Sequence, residues 1–227
     1  MTEPIAAYLE VAPKRSFAGA IEWPGWARPG RTADEALARL AEYGPRYARV
    51  VTDHVERLQA PADASGFYVT ERLAGGAGTE FGAPSAVPAA DSRPVDEAEL
   101  ERLTRILRAC WSAFDRSAGA AADVQLRTGP RGGGRDLAKI VAHAAESEEA
   151  YVNALGARAP RTPATDVAGR WTVVRSEIVE ALGARAHGET PSNPSSTQKL
   201  WTPRYFVRRS AWHVLDHAWE IEDRSMP

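Results

Sequence analysis

Hydrophobic positions in the first part of the chain form short stretches that are typical of β-strands. Residues 5–11 and 16–23 are two such stretches, and the turn-forming residues 13–15 lie between them. This pattern predicts a β-hairpin. A third stretch, residues 66–72, alternates well enough to predict another short strand.

Two helical segments are expected between these strands. Thr32 and Glu35 have the spacing of a capping box, in which each residue satisfies an exposed backbone amide of the other, so a helix should begin at Ala33. Residues 44–45, Gly-Pro, should interrupt this helix before a second helical piece that runs to about Leu58. The first part of the chain therefore predicts a small unit of sheet and helix.

The remainder of the chain has a different pattern. Residues 74–94 are rich in Gly, Ala and Pro without sustained periodicity, which predicts loop and linker. After Pro94 the apolar residues recur at helical spacing, and the connections between these stretches are rich in Gly, Pro and Ser. Four helices are predicted, at residues 94–111 and beyond, 136–155, 166–184 and 203–224. They would pack most naturally as a four-helix bundle.

These patterns together predict an α+β chain of three parts. The first is a small α/β module with an extension at residues 1–86, the second a linker at residues 87–93, and the third a four-helix bundle at residues 94–227. The length of 227 residues and the hydrophobic content of 44% are sufficient for a packed core without disulfide support.

The last predicted helix is apolar on nearly every side but carries His213 and His217, four residues apart. Residues at this spacing lie about 5 to 6 Å apart on one helix face, so both imidazoles can reach one metal ion over bonds of about 2 Å. His143, in the second predicted helix, is the candidate third ligand. The alternative is a core pair hydrogen-bonded to carboxylates such as Asp216 or Glu220, with His143 facing solvent.

A histidine that binds a metal commonly donates its second ring N–H to a carboxylate, which fixes the tautomer. Glu146, Glu148 and Asp216 are near the candidate ligands in sequence, and the pattern does not choose among them.

Three arginines, Arg127, Arg131 and Arg135, surround a glycine-rich segment at the start of the helix that carries His143. A helix N-terminus with nearby arginines binds anions readily. These arginines are therefore candidate substrate-binding residues for a carboxylate. The alternative is a solvent-exposed connection whose arginines bind no ligand.

Composition excludes several classes of partner. The chain has 28 Lys and Arg against 30 Asp and Glu, so it lacks the positive field that holds a nucleic-acid backbone. The single cysteine, Cys110, excludes an internal disulfide, and its helical spacing with Leu103 and Leu107 predicts burial rather than catalysis. No apolar run approaches the roughly 20 residues of a membrane span, and no signal peptide is recognisable. We expect a cytoplasmic protein that binds neither nucleic acid nor membrane.

The region from about residue 94 to residue 227 resembles the DinB-like metal-binding four-helix family, which includes thiol-dependent transferases. In that family one histidine comes from the second helix and two, spaced as HxxxH, come from the fourth. His143, His213 and His217 match this order and spacing. The resemblance implies an up-down-down-up bundle that holds a divalent ion, zinc or nickel being usual, on these three residues. Three imidazoles by themselves suit Zn, Ni, Fe and Cu alike.

Residues 1 to about 60 resemble a HicB-like module. The resemblance rests on residues 17–25, Phe-Ala-Gly-Ala-Ile-Glu-Trp-Pro-Gly, followed by residues 30–37, Gly-Arg-Thr-Ala-Asp-Glu-Ala-Leu. It implies a small α/β unit that is used elsewhere in antitoxins for protein contacts. No DNA-binding domain of the kind that those antitoxins append is visible in the sequence, which argues against an antitoxin.

Two functions from different classes are consistent with these features. The first, favoured by the DinB-like resemblance, is a metal-dependent enzyme, a thiol S-transferase or a hydrolase, that activates a low-molecular-weight thiol co-substrate or water and acts on a small molecule. The second is a non-catalytic binding or regulatory protein, in which the bundle is a scaffold and the HicB-like module makes protein contacts. The resemblance also favours a homodimer.

Overall fold

The computed structural model describes residues 3–55, 57–128, 134–158, 167–189 and 200–225. These residues form a four-stranded sheet and seven α-helices, so the chain is of the predicted α+β class. The strands are β1 (Ile5–Val11), β2 (Ser16–Ala20), β3 (Ala27–Gly30) and β4 (Phe67–Ala74). The helices are α1 (Ala33–Glu42), α2 (Gly44–Val51), α3 (Ala77–Phe81), α4 (Glu97–Ala120), α5 (Leu137–Ala154), α6 (Val167–Ala186) and α7 (Pro203–Ser225).

The sheet has the strand order β3-β2-β1-β4. Strands β1 and β2 pair antiparallel, with Leu9 opposite Ala18, which confirms the predicted hairpin. Strand β4, the other predicted strand, pairs parallel to β1. The parallel pairing requires a long connection, and α1 and α2 lie in it. Helix α1 packs against β2 and β3 and covers one face of the sheet.

Strand β3 was not predicted, because its sequence Ala-Arg-Pro-Gly has the composition of a turn. It pairs only with β2 and forms one edge of the sheet. An edge position tolerates Pro29, since a proline there removes no hydrogen bond from a second neighbouring strand. The proline in this segment is therefore consistent with an edge strand, although the composition of the segment is typical of a turn.

Helix α1 begins at Ala33 as predicted, but the capping box differs in one bond. Thr32 Oγ1 accepts a hydrogen bond from the Glu35 amide at 3.1 Å, whereas Glu35 accepts from the Arg31 amide at 3.0 Å rather than from Thr32. Helix α2 ends at Val51, earlier than the predicted Leu58. The three residues that follow Val51 are all exposed and offer no apolar face to hold another turn.

The segment predicted as loop contains the short helix α3 and a single turn of 3-10 helix at Ala89–Ser92. A buried carboxylate organises it. Glu10 of β1 is 0% exposed and accepts hydrogen bonds from the Ser85 and Ala86 amides, each at 3.0 Å, and from the Thr79 hydroxyl. Tertiary hydrogen bonds thus order a segment whose own sequence shows no periodicity.

The four long helices α4 to α7 begin within three residues of their predicted starts, and α5, α6 and α7 end within three residues of their predicted ends. Helix α7 packs against α4, α5 and α6, and α5 packs against α6. Cys110, in α4, is 0% exposed, and burial raises the pKa of its thiol, so the prediction of a buried thiol is confirmed. Among the helices that the structure describes, none is both long enough and apolar enough to cross a membrane.

The two parts of the chain share one continuous hydrophobic core that includes sheet residues such as Leu9 and bundle residues such as Leu215. Gly25 shows how closely they approach. Its φ of 94° lies in the left-handed region, and a side chain at this position would place its Cβ 2.9 Å from the Cβ of Ala211 in α7. Only glycine permits both the turn and the contact.

A buried ion pair also joins α7 to the first part of the chain. Arg208 is 6% exposed and Asp91 is 0% exposed, and two guanidinium nitrogens of Arg208 donate to the Asp91 carboxylate at 2.7 Å. The same guanidinium donates to the carbonyls of Ala20 and Ile21 at 2.7 and 2.8 Å. Four hydrogen bonds therefore satisfy the buried arginine, and they connect α7 to the end of β2.

We expect Asp91→Ala to destabilise the protein by about 3 to 5 kcal/mol, because it leaves the Arg208 charge buried without a counter-charge. Urea unfolding followed by circular dichroism measures the change. Glu101→Ala is the matched control, since it removes an exposed ion pair with Arg105 within α4 and should cost under about 1 kcal/mol. Equal unfolding midpoints for the two variants would contradict the role of the buried pair.

Candidate metal centre

Three histidines from two helices meet inside the bundle. Helix α5 begins at its N-cap, Asp136, whose carboxylate accepts the Lys139 amide at 2.8 Å, and it carries His143 near its middle. Helix α7 carries His213 and His217. Because residues four apart share a face, α7 presents both rings to α5. The three predicted positions are brought together.

The rings are mutually close. The ring centroids of His143 lie 5.2 Å from His213 and 5.1 Å from His217, and those of His213 and His217 are 4.8 Å apart. The Nε2 atoms of His143 and His213 are 3.3 Å apart. One ligand atom from each histidine lies within 4.8 Å of the others, so the cluster can hold a metal ion.

The donor set fits a tetrahedral ion. Two imidazole nitrogens bound at 2.0 to 2.1 Å to such an ion are separated by about 3.3 Å, which is the distance between the two Nε2 atoms. Three histidines also leave at least one coordination position for a small molecule, an arrangement found in catalytic sites. The donor set does not distinguish among Zn, Ni, Fe and Cu.

Burial differs across the cluster. His213 and His217 are 7% and 9% exposed, whereas His143 is partly exposed and forms the rim. Burial lowers the pKa of His213 well below its usual value, and the charges of His217 and Arg209 lower it further. Burial, followed by the charge of Arg135, also lowers the pKa of His143. Two of the candidate ligands are therefore neutral at pH 7 and would not need to release a proton to bind a metal.

A carboxylate orients one ligand. His217 Nδ1 lies 2.9 Å from Glu220 Oε2, one turn along α7, which leaves Nε2 for the cluster. The hydrogen bond from His217 is the largest cause of a lowered pKa at Glu220. Glu220 accepts a second bond from Arg224 at 2.7 Å, and Arg224 donates to the Arg127 carbonyl at 2.7 Å. This chain of contacts fixes the orientation of the His217 ring.

None of the three carboxylates proposed from the sequence makes this contact. Asp216 pairs with Arg28 at 2.9 Å, and Glu148 is fully buried, accepting from Trp111 Nε1 at 2.8 Å and from the Ser210 hydroxyl. Glu146 is exposed and affects His143 only through its charge, which raises the pKa. Glu220 was named from the sequence only for the alternative of core histidines, and its i, i+3 spacing from His217 allows this contact.

The structure describes two of the three candidate arginines, Arg127 and Arg135. Arg127 is exposed and donates to the Asp223 carbonyl at 2.6 Å, and its amide donates to the Arg224 carbonyl at 2.9 Å. Arg131 lies outside the described residues. Arg135 is exposed, and its charge acts on His143 and His213. Their role in binding substrate stays a prediction.

Sequence reasoning did not select Arg209, although it lies four residues before His213. The guanidinium carbon of Arg209 is 4.7 Å from the ring centroid of Trp212 and 5.7 Å from that of Tyr151. The Tyr151 ring in turn lies 5.9 Å from the His213 ring. The same i, i+4 spacing that pairs the histidines could have identified this arginine as a neighbour of the cluster.

Comparisons with protein-family models, with curated proteins and with solved structures find no match to this chain.

The stability of the metal-free protein should decrease as pH falls below about 6.5, the ordinary histidine pKa. In the unfolded protein His213 regains this ordinary pKa. At a pH between this value and the lowered pKa of the folded protein, the unfolded state binds more protons than the folded state, so stability rises with pH. Urea midpoints of chelator-treated protein between about pH 7.5 and pH 5 measure the slope.

The control is His213→Gln, which removes one titrating group and should reduce the pH dependence to the part contributed by His143, whose pKa is also lowered. Other titrations are common to both proteins, including that of His187, whose pKa is raised by its surface contact with Glu97. A slope that is unchanged in His213→Gln would show that His213 titrates normally in the folded protein.

Glu220→Gln should weaken metal binding by about 10- to 100-fold, because a neutral amide orients the His217 ring less firmly than a carboxylate does. Competition with a chromophoric chelator measures the affinity. Asp216→Asn is the matched control on the same helix, since Asp216 contacts Arg28 rather than a histidine. Equal losses in the two variants would indicate a general effect of charge on α7.

Proposed function

We propose that the protein is a metal-dependent enzyme that activates a low-molecular-weight thiol, or water, at a centre formed by His143, His213 and His217. The reaction is an S-transfer to a small electrophile or a hydrolysis. The observation that carries the proposal is the 3.3 Å approach of the His143 and His213 nitrogens from different helices, with His217 in the same group.

The arrangement of the ligands supports a DinB-like bundle at residues 94–227. The second and fourth of the four long helices supply the histidines in the order and spacing that this family uses. Core histidines without a metal would each need hydrogen-bond partners for their ring nitrogens. His213 Nδ1 is buried without such a partner among the described residues, and its Nε2 faces another imidazole. The approach of these Nε2 atoms favours ligands over core histidines, whereas the contact of His217 with Glu220 is consistent with both.

The protein side chains would hold and orient the reacting groups. The three imidazoles would bind the ion, with Glu220 fixing the ring of His217 through the contact at 2.9 Å. A divalent ion, with zinc or nickel proposed from the resemblance, lowers the pKa of a thiol or water that it binds and so supplies a nucleophile at neutral pH. Arg135, exposed at the start of the helix that carries His143, would attract an anionic substrate to the rim.

The first part of the chain has features that support a HicB-like module, with α1 packed on the antiparallel strands β1 to β3. We propose that its outer surface makes protein contacts, including those of a homodimer. In the alternative function these contacts are the main activity and the bundle is a scaffold, which predicts little bound metal.

Elemental analysis of protein purified without a polyhistidine tag tests the proposal. We expect close to one equivalent of zinc or nickel in the wild type and a large loss in His217→Ala. The metal-loaded wild type should consume mycothiol, bacillithiol or glutathione in the presence of a chlorinated acceptor, and His217→Ala should not, because the thiol is then not activated.

His187→Ala is the matched control, since His187 lies on the surface beside Glu97 and should retain both metal and activity. Less than about a tenth of an equivalent of metal in the wild type would favour the scaffold function. Full metal occupancy with no thiol consumption would direct the search to hydrolysis.

A further inference from the structure

One face of α7 carries three buried nitrogen atoms that lack partners. Arg209 Nη1, Trp212 Nε1 and His213 Nδ1 are each buried, and none has a hydrogen-bond partner in the part of the chain that the structure describes. Their positions are i, i+3 and i+4, so the side chains leave the helix on the same side. Buried polar groups are normally satisfied, so such a cluster needs an explanation.

Aromatic rings lie around the Arg209 guanidinium. The Arg209 guanidinium lies over the Trp212 ring at 4.7 Å and near the Tyr151 ring at 5.7 Å. Trp212 contacts Phe17 of β2 with ring centroids 6.0 Å apart, so the site lies where the sheet meets the bundle. The rings shield part of the guanidinium, including the buried Nη1, from water, which strengthens its interaction with an anion.

Arg209 differs from the two buried arginines of α7, Arg208 and Arg224, because it has no acidic partner among the residues that the structure describes. Arg208, the preceding residue, is bound by Asp91 and by two backbone carbonyls. Arg209 has neither a salt bridge nor a hydrogen bond among the described residues, and its charge acts on Tyr151, Tyr205 and His213. A positive charge beside three neutral groups favours a negatively charged occupant.

We infer that the substrate of the histidine centre is a small carboxylate, whose carboxylate group is received by Arg209 and the Trp212 indole N–H. The inference rests on the proposed function for the location of the reacting group. A guanidinium presents its N–H donors in a planar fork that matches a carboxylate. Four residues of helix separate Arg209 from His213, a rise of about 6 Å. A short compound of this length, with its carboxylate at Arg209, would have its reactive carbon near the histidines.

This assignment differs from that of the exposed arginines before α5. Arg135 is exposed to solvent, so salt screens its attraction for an anion, and it does not fix the orientation of the anion. Arg209 is partly buried and held between rings, so it fixes the orientation of the anion. In this arrangement Arg135 contributes to the rate of association and Arg209 to the affinity and specificity.

Isothermal titration calorimetry with acetate and benzoate, at constant ionic strength, tests the inference on both zinc-loaded and metal-free protein. Acetamide and benzamide are the uncharged probes. We expect saturable binding of at least one of the two carboxylates and not of its amide. Arg209→Met should weaken it by about 10- to 100-fold, as expected for loss of a hydrogen bond to a charged group. Arg39→Met, which changes an exposed arginine of α1, should leave the affinity unchanged.

Trp212→Phe removes the indole N–H and keeps a smaller aromatic ring at this position, so it should weaken carboxylate binding by about two- to tenfold. It also keeps the inference testable if Arg209→Met does not fold. Equal carboxylate affinities in the wild type and in whichever of these variants fold, or equal binding of acid and amide, would overturn the inference. Zinc stoichiometry is measured on the same samples. If carboxylate binding depends on Arg209 but the protein binds no zinc, the anion site is supported and the proposed function is contradicted. If the protein binds zinc but no carboxylate, only the inference is contradicted.

Discussion

A helix that is apolar on nearly every side must be covered on every side, and α7 imposes this constraint on the rest of the molecule. Most of its residues are buried, from Tyr205 to Arg224. Three other long helices of the bundle cover part of its surface, and the sheet with its flanking turns covers the remainder. The close approach of Gly25 to Ala211 and the buried pair of Arg208 with Asp91 belong to this second contact. The first part of the chain thus completes the enclosure of the helix that carries two of the histidines.

This enclosure determines the chemistry of the three-histidine cluster. Burial keeps His213 neutral at physiological pH, and it makes the contact of His217 with Glu220 stronger than the same contact would be in water. His143 comes from a less buried face of α5, so the cluster has two enclosed histidines and one histidine at the rim. The asymmetry follows from helix packing rather than from any difference among the three residues.

Local sequence signals predicted the regular elements well where a helix or strand has its own periodicity or cap. The hairpin of β1 and β2, the start of α1 at Thr32 and the four long helices are of this kind. Prediction was less successful where neighbours decide the conformation. Strand β3 is extended because β2 offers it backbone hydrogen bonds, and the segment that contains α3 is held by the buried carboxylate of Glu10. Such bonds form between residues far apart in sequence, so no local pattern reports them.

For the candidate site, the sequence by itself determined the residue types and the spacing: an HxxxH pair in a helix that must be buried, and a third histidine in another helix. Helical geometry makes those two facts sufficient to place two rings on one face. Only the tertiary structure decided that α5 lies against this face, that Glu220 rather than Asp216 contacts His217, and that Arg209 has no acidic partner among the described residues. These outcomes depend on how separate helices pack, because packing selects which of several equally spaced polar side chains meet and which remain unsatisfied.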